Sequence, residues 1–451
     1  MLSNKAVKGT IAVPGDKSIS HRALIFASLI KGQVEIENCS PAVDCRSSAE
    51  CLEALGLKIS LVDSESKTKG VPKLLVKSPG LFELSSPQDV LNAGNSGTTI
   101  RLLSGLLAGQ PFSCVLDGDQ SLRQRPMSRI SAPLEKMGAQ IQNLGDMDAA
   151  IQTASATKAK TKVHAPFRIQ GARLEGQVFD LAIASAQVQT ALLLAGLQAE
   201  GTTTVNLPAP VRDHTARMFR FLGVPFQSLN PENISVTKLT APLTGNHHIH
   251  VPADISSAAF IIVAATLIPN SDILLTGVGI NEGRLLITDV LTRMGADITF
   301  ENKRDFGYEP VANIRVKYNG RLKSATISGE EIATGIDEIP ILALAGAFSD
   351  GVLTVSGAEE LRFKESDRLA AIIDNLLAAG AQIEGKQDGF VLTGQEKLPG
   401  GSTWKTFDDH RLAMSGLVAQ LVVEEKLTIE EIESIKISYP SFAQDLESVL
   451  S

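Results

Sequence analysis

Aromatic side chains are scarce in this chain of 451 residues, with one Trp, three Tyr and aromatics at 4% overall. A platform on which single-stranded nucleic acid could stack its bases has little to be built from. Positive charge is not in excess either. The formal net charge is −8, which argues against nucleic acid or an anionic membrane as the main partner and leaves room for a local basic pocket. Four cysteines occur, Cys39, Cys45, Cys51 and Cys114, without a C-x-x-C pair. Neither a zinc site nor a disulfide framework is indicated in a chain this large. No uninterrupted apolar stretch reaches membrane-spanning length. The N-terminal MLSNKAVKGTIAV lacks the apolar run of a secretory leader. No G-x-x-x-x-G-K-[ST] loop is present, so ATP hydrolysis has no support. A cytoplasmic globular protein is expected. Its length calls for two or three domains.

What the chain does contain is a repeat. Six segments open on small, hydroxyl or acidic residues and then run apolar for about three turns. They begin at Ser20, Ser96, Ser185, Ser256, Asp337 and Asp409, with gaps of 76, 89, 71, 81 and 72 residues. Ser and Asp suit helix N-caps, and helices apolar nearly all round are buried ones. After each comes a short β-like run, such as GQVEIENC or GVLTVSG, and then an amphipathic helix. Five of these second helices are expected to stop at Gly56, Gly138, Gly223, Gly295 and Gly380. A second self-match, Val13-Pro-Gly-Asp-Lys-Ser18 against Val251-Pro-Ala-Asp-Ile-Ser256, divides the array into two sets of three. The expected fold class is α/β, with two similar domains of three repeated α/β units and two chain crossovers. Residues 1–14 plus 251–451 form one domain and 15–250 the other.

Basic residues gather near the openings of the buried helices. Lys17 and Arg22 flank the first, Arg101 lies in the second, and Arg411 follows His410 in the sixth. Arg212 precedes a second helix, and Lys364 and Arg368 bracket Glu365. For any one Arg, a solvated surface ion pair is the commoner explanation. A set recurring at one structural position reads better as an anion site, because helix N-termini offer free N–H groups and Arg adds bidentate donors. Small phosphate-bearing anions are the expected ligands, held in a cleft between the two halves. Gly97 lets backbone approach a ligand closely. Asp337 and Glu365, carboxylates among cations, are candidates for proton transfer. Cys114 sits in the alternating Phe112-Ser-Cys-Val-Leu, so a buried strand thiol is favoured over a nucleophile.

Eight motifs, in order along nearly the whole chain, resemble the 5-enolpyruvylshikimate-3-phosphate (EPSP) synthases, a family of enolpyruvyl transferases. They are Pro14-Gly-Asp-Lys-Ser-Ile-Ser-His-Arg22, Gly94-Asn-Ser-Gly-Thr-Thr-Ile-Arg101, Leu122-Arg-Gln-Arg-Pro-Met127, Ser185-Ala-Gln187, Arg212-Asp-His-Thr215, Gly335-Ile-Asp-Glu338, Lys364-Glu-Ser-Asp-Arg368 and Asp409-His-Arg411. The resemblance implies an inside-out α/β barrel fold. It also implies transfer of the enolpyruvyl group of phosphoenolpyruvate to the 5-hydroxyl of shikimate 3-phosphate, through a tetrahedral adduct. No metal or organic cofactor is implied, and a monomer is expected. Shikimate 3-phosphate would meet Lys17, Ser18, Arg22, Ser185, Ala186, Gln187, Arg212, Asp337 and Lys364. Phosphoenolpyruvate would meet Lys17, Gly97, Arg125, Gln187, Arg368 and Arg411. Asp337 is the implied base, and Glu365 the proton donor to the methylene carbon, with Lys17 assisting. The chain departs from some members in Ser438-Tyr-Pro-Ser-Phe442, which lacks a Lys, and in Ser-Ala-Gln and Arg-Asp-His-Thr. These departures point to the subgroup that includes glyphosate-tolerant members. Tolerant members carry Ala where this chain has Gly97, so sensitivity to glyphosate is expected. The alternative is a UDP-N-acetylglucosamine enolpyruvyl transferase, similar in fold, which uses a loop Cys. Here Leu122-Arg-Gln-Arg-Pro stands in that loop's region.

Overall fold

The computed structural model describes residues 5–62, 73–145 and 163–451. The first four residues of the segment read for a leader lie outside the described residues. The chain forms two compact units, Met1–Asp16 with Pro252–Ser451, and Lys17–Val251.

Each unit repeats one local plan three times. An edge strand is followed by a buried helix, whose exit strand pairs parallel with that edge strand. A surface helix then leads to an antiparallel hairpin that completes the sheet. Among the described residues five such sheets have four strands, and the sixth keeps only Thr403–Trp404 and Thr428–Ile429. Parallel pairing needs a crossover connection, and the buried helix supplies it. In two sheets the edge strand arrives from far along the chain. Leu243–His250 pairs with Ile30–Glu37, and Lys8–Ile11 pairs with Asp272–Gly279. The strands that run into the first and fourth buried helices have thus exchanged sheets. Among the described residues the strands remain separate sheets and do not close into a barrel.

The cores are helical. Ile255–Leu267, Ile339–Ala347 and His410–Ala419 pack on one another in one unit. Ile339–Ala347, of sequence IPILALAGA, is buried along its entire length. Such a helix has no solvent face, so it can only be stable wrapped by neighbours. In the other unit, Gly97–Leu107 packs along Ala186–Gly196 and against Lys17–Ala27. Gly105 permits the first contact, since a Cβ there would lie 2.0 Å from the carbonyl oxygen of Ala191. The five stop glycines all have positive φ, from +74° at Gly223 to +111° at Gly138, as a left-handed helix terminus requires. No described helix is long and apolar enough to cross a membrane.

Three of the expected helix starts are corrected. The first helix begins at Lys17, so Ser20 lies inside it, and its hydroxyl accepts from the backbone of Ser40. The fourth begins at Ile255 because Asp254, two residues ahead of the expected Ser256, caps it by accepting from Ser256 N–H. Asp337 does not cap the fifth. It lies in a 3-10 turn, Ile336–Glu338, ahead of Ile339, where Pro340 sets the first helical turn. Ser96, Ser185 and Asp409 are caps as expected, each accepting from the helix backbone.

Candidate active site

Within the Lys17–Val251 unit, three buried helices bring their N-terminal ends into one polar constellation. Lys17 and Arg22 are not flanking residues but belong to the first helix. Lys17 Nζ pairs with Asp44 Oδ2 at 3.0 Å. Arg22 is buried, and its Nε and Nη2 donate to Thr215 at 2.9 Å and Thr190 at 3.2 Å. These hydroxyls fix the orientation of the guanidinium. Ser18, on the same helix, is half-buried. Gln187 donates to Thr98 Oγ1 at 2.8 Å and accepts from Arg101 Nη1 at 2.7 Å, tying the Ala186–Gly196 helix to Gly97–Leu107. Arg125 reaches Asn95 Oδ1 at 2.8 Å and Ser121 at 3.2 Å. Ser185 and Ala186 open their helix, half-buried, and Arg212 is half-buried in the approach to His214–Leu222.

The other unit brings its candidates together around a buried ion cluster. The Arg368 side chain is 1% exposed and that of Asp409 is fully buried. Arg368 donates Nε to Asp409 at 2.7 Å, Nη1 to Asp337 at 3.0 Å, and Nη2 lies 2.6 Å from Glu365. Lys364 Nζ stands 3.4 Å from Asp337, and Arg411 Nη1 donates to the Asp337 carbonyl at 3.0 Å. Burial alone would lower the Arg368 pKa, but Asp409, Glu365 and Asp337 outweigh it and hold the guanidinium above its ordinary value. Burial likewise raises the Asp409 carboxyl, and Arg368 more than offsets this, leaving it below the usual carboxylate range. The cluster places two carboxylates, Asp337 and Glu365, on one permanently charged cation.

Several members of these constellations carry no sequence signature. Asp44 lies on a second helix and Thr190 mid-helix, where nothing marks them as partners of Lys17 and Arg22. Arg284 is buried and bonds Asp16 Oδ2 at 2.8 Å and Asp254 Oδ1 at 3.2 Å. Burial, then the neighbouring Asp16, pushes the Asp254 carboxyl up to about 6, against the opposing Arg284. A folded-state pKa above the unfolded one means the native state binds the extra proton. Stability from this group is therefore full at low pH and is lost as pH rises through about 4 to 6. Asp254→Asn, which keeps the cap acceptor, removes that loss. Its melting temperature should gain on the wild type as pH is raised from about 4 to 7, as pH-dependent thermal melts would read.

Cys114 lies buried on the strand Ser113–Asp117, and burial pushes its thiol up to about 12. A thiol so protonated is a poor nucleophile. Leu122–Gln124, in the region of the alternative's loop, belongs to the short helix Gln120–Gln124. Cys114→Ser should retain turnover within about twofold, whereas loss of turnover would favour the UDP-sugar enzyme. The segment Ser438–Phe442 is core-building, with Tyr439 and Phe442 buried and Phe442 edge-on to Phe260.

Three α/β repeats per unit, buried-helix N-termini edged with basic residues, and an Asp–Glu–Arg cluster define an enolpyruvyl transferase architecture. The enolpyruvyl transferase NikO from Streptomyces tendae aligns over 99% of this chain and 96% of its own, with a TM-score of 0.76 at 19% identity, a likeness of fold. EPSP synthase from Acinetobacter baumannii aligns over 99% and 98%, with a TM-score of 0.83 and 37% identity. The 3-phosphoshikimate 1-carboxyvinyltransferase of Pelotomaculum thermopropionicum is 43% identical over 99% of this chain and 97% of its own. That of Synechococcus elongatus is 45% identical over 98% and 94%. The family model for EPSP synthase (3-phosphoshikimate 1-carboxyvinyltransferase) matches residues 2–446. The chain belongs to this family of transferases.

Proposed function

We propose that the chain transfers the carboxyvinyl group of phosphoenolpyruvate to the 5-hydroxyl of shikimate 3-phosphate, releasing phosphate, on the route to chorismate and aromatic amino acids. The observation that carries the reading is the cluster of Asp337, Lys364, Glu365, Arg368 and Arg411 about Asp409. Shikimate 3-phosphate takes Lys17, Ser18, Arg22, Ser185, Ala186, Gln187, Arg212, Asp337 and Lys364. Phosphoenolpyruvate takes Lys17, Gly97, Arg125, Gln187, Arg368 and Arg411. Two polyanions repel, and these cations offset that repulsion where water is excluded.

Asp337 accepts the proton of the 5-hydroxyl as its oxygen bonds to C2 of phosphoenolpyruvate. Glu365, with Lys17 assisting, delivers a proton to the methylene carbon, giving a tetrahedral adduct. Removing a methyl proton from the adduct then expels phosphate and restores the double bond. Glu365 must be protonated to donate, yet it faces Arg368. An anionic substrate docking on Arg368 adds negative charge beside Glu365 and favours its protonated form. No metal or organic cofactor takes part. The protein acts as a cytoplasmic monomer without nucleic-acid or membrane partners, in keeping with its net charge of −8.

Phosphate release tests the reading. Release is expected with phosphoenolpyruvate plus shikimate 3-phosphate and absent with UDP-N-acetylglucosamine as acceptor. The reverse pattern overturns it. Glyphosate should inhibit in competition with phosphoenolpyruvate. A Cβ at Gly97 would stand 2.7 Å from Arg101 Nη1 and 3.5 Å from Arg125 Nη1, so Gly97→Ala narrows that corner. Its half-inhibitory glyphosate concentration should rise on the order of tenfold or more, read from inhibition curves at fixed phosphoenolpyruvate.

A further inference from the structure

Beside the Asp337–Glu338 turn lies a second buried polar network, whose hub the proposed chemistry does not use. Its hub is Arg284, in the 3-10 turn Glu282–Arg284, with a side chain 3% exposed. One nitrogen, Nη1, bonds Asp16 Oδ2 at 2.8 Å. The other, Nη2, bonds Asp254 Oδ1 at 3.2 Å and Ser256 Oγ at 2.7 Å. Ser256, its lone pair taken by Arg284, donates its own hydrogen to Glu338 Oε1. Glu338 is fully buried, and Arg411 Nη1 lies 3.4 Å from the same Oε1. The chain of contacts thus runs from Arg284 through one hydroxyl and one carboxylate to Arg411. A buried ionic group with few partners can pivot unless each bond holds it. Here one hydroxyl, oriented by Arg284, holds the carboxylate oxygen that faces Arg411.

We propose that Arg284 is a positioning residue for the phosphoenolpyruvate subsite: through Ser256 it fixes Glu338, and Glu338 sets the direction of Arg411. This rests on the function proposed above, in which Arg411 meets phosphoenolpyruvate. A purely structural Arg284 would only neutralise Asp16 and Asp254.

Ser256→Ala separates the two roles, because it leaves Arg284 on both aspartates and cuts only the link to Glu338. The KM for phosphoenolpyruvate should rise on the order of tenfold, the scale of one hydrogen bond to a buried charge. The KM for shikimate 3-phosphate should stay within about twofold, and the fold should be kept by thermal melting. Arg284→Lys, which retains a cation but not the two-nitrogen fork, should show the same split. An unchanged phosphoenolpyruvate KM in Ser256→Ala overturns the proposal, as does an equal rise in both KM values. A loss of turnover that merely follows a lost folded fraction in both variants overturns it too. A wild-type enzyme inert towards the substrate pair would instead sink the proposed function, so the two failures are told apart in one assay.

Discussion

Arg368→Met should cost the protein about 3 to 5 kcal/mol of stability, and turnover with it. The guanidinium is almost entirely enclosed and its partner Asp409 fully so. Removing the cation leaves Asp409 charged or forces it to take up a proton, against a pKa that Arg368 now holds down. Asp337 and Glu365 lose their shared partner in the same step. For a domain of this size the loss corresponds to a fall in melting temperature of roughly 6 to 20 °C, read by calorimetry on the unit that carries it. Adding Asp409→Asn distinguishes stability from chemistry. The amide oxygen can still cap Arg411 N–H, as Asp409 does at 2.9 Å, while the stranded charge is gone. The double variant should recover part of the melting temperature and none of the turnover.

The enclosure of Arg368 also shows where sequence ceases to inform. The repeat was legible because it rests on short-range rules. Apolar residues all round, a capping Ser or Asp, and a terminal Gly specify a buried helix and its neighbour from local pattern alone. The cations at helix openings were legible for the same reason. Which sheet an edge strand joins is not a local property. Lys8–Ile11 lies directly ahead of the first repeat and yet pairs with Asp272–Gly279, 264 positions on at its first register pair, Lys8 with Asp272. Nothing in KGTI says so. The partners of the site residues were hidden likewise. Thr190 looks like a helix-interior threonine and Thr215 like a residue of a first helical turn, and only tertiary packing puts both on Arg22. Arg284, in Glu-Gly-Arg-Leu, looks like a solvated turn residue and is among the most buried cations described. Asp337 was legible as a candidate by its motif, but its setting was not. A 3-10 turn, rather than a helix cap, turns its carboxylate to Lys364 and Arg368.

Glu365→Gln should lower kcat by about 10² to 10⁴, the range for a lost general acid, with little change in the KM for either substrate. Protonating a carbon is harder than protonating oxygen, so a positioned acid matters most at this step. Glutamine is nearly isosteric and can still face Arg368 Nη2 with its amide oxygen. Glu365 is half-buried on the loop ahead of the Arg368–Ala378 helix, and when it is neutralised the enclosed Arg368 keeps Asp409 and Asp337 as partners. Melting temperature should therefore move by less than about 3 °C, well inside the shift expected of Arg368→Met. Turnover in deuterium oxide locates the step. Wild-type enzyme with both substrates should carry solvent deuterium into the methylene group of phosphoenolpyruvate, because adduct formation adds a proton there and reversal removes one. Glu365→Gln should lose this exchange in parallel with phosphate release. Asp337→Asn should lower kcat on a similar scale, since the 5-hydroxyl then has no base. Persistence of fast exchange in Glu365→Gln would move the carbon acid to another group, and Lys17, paired with Asp44 at 3.0 Å, is the cation already assigned to assist it.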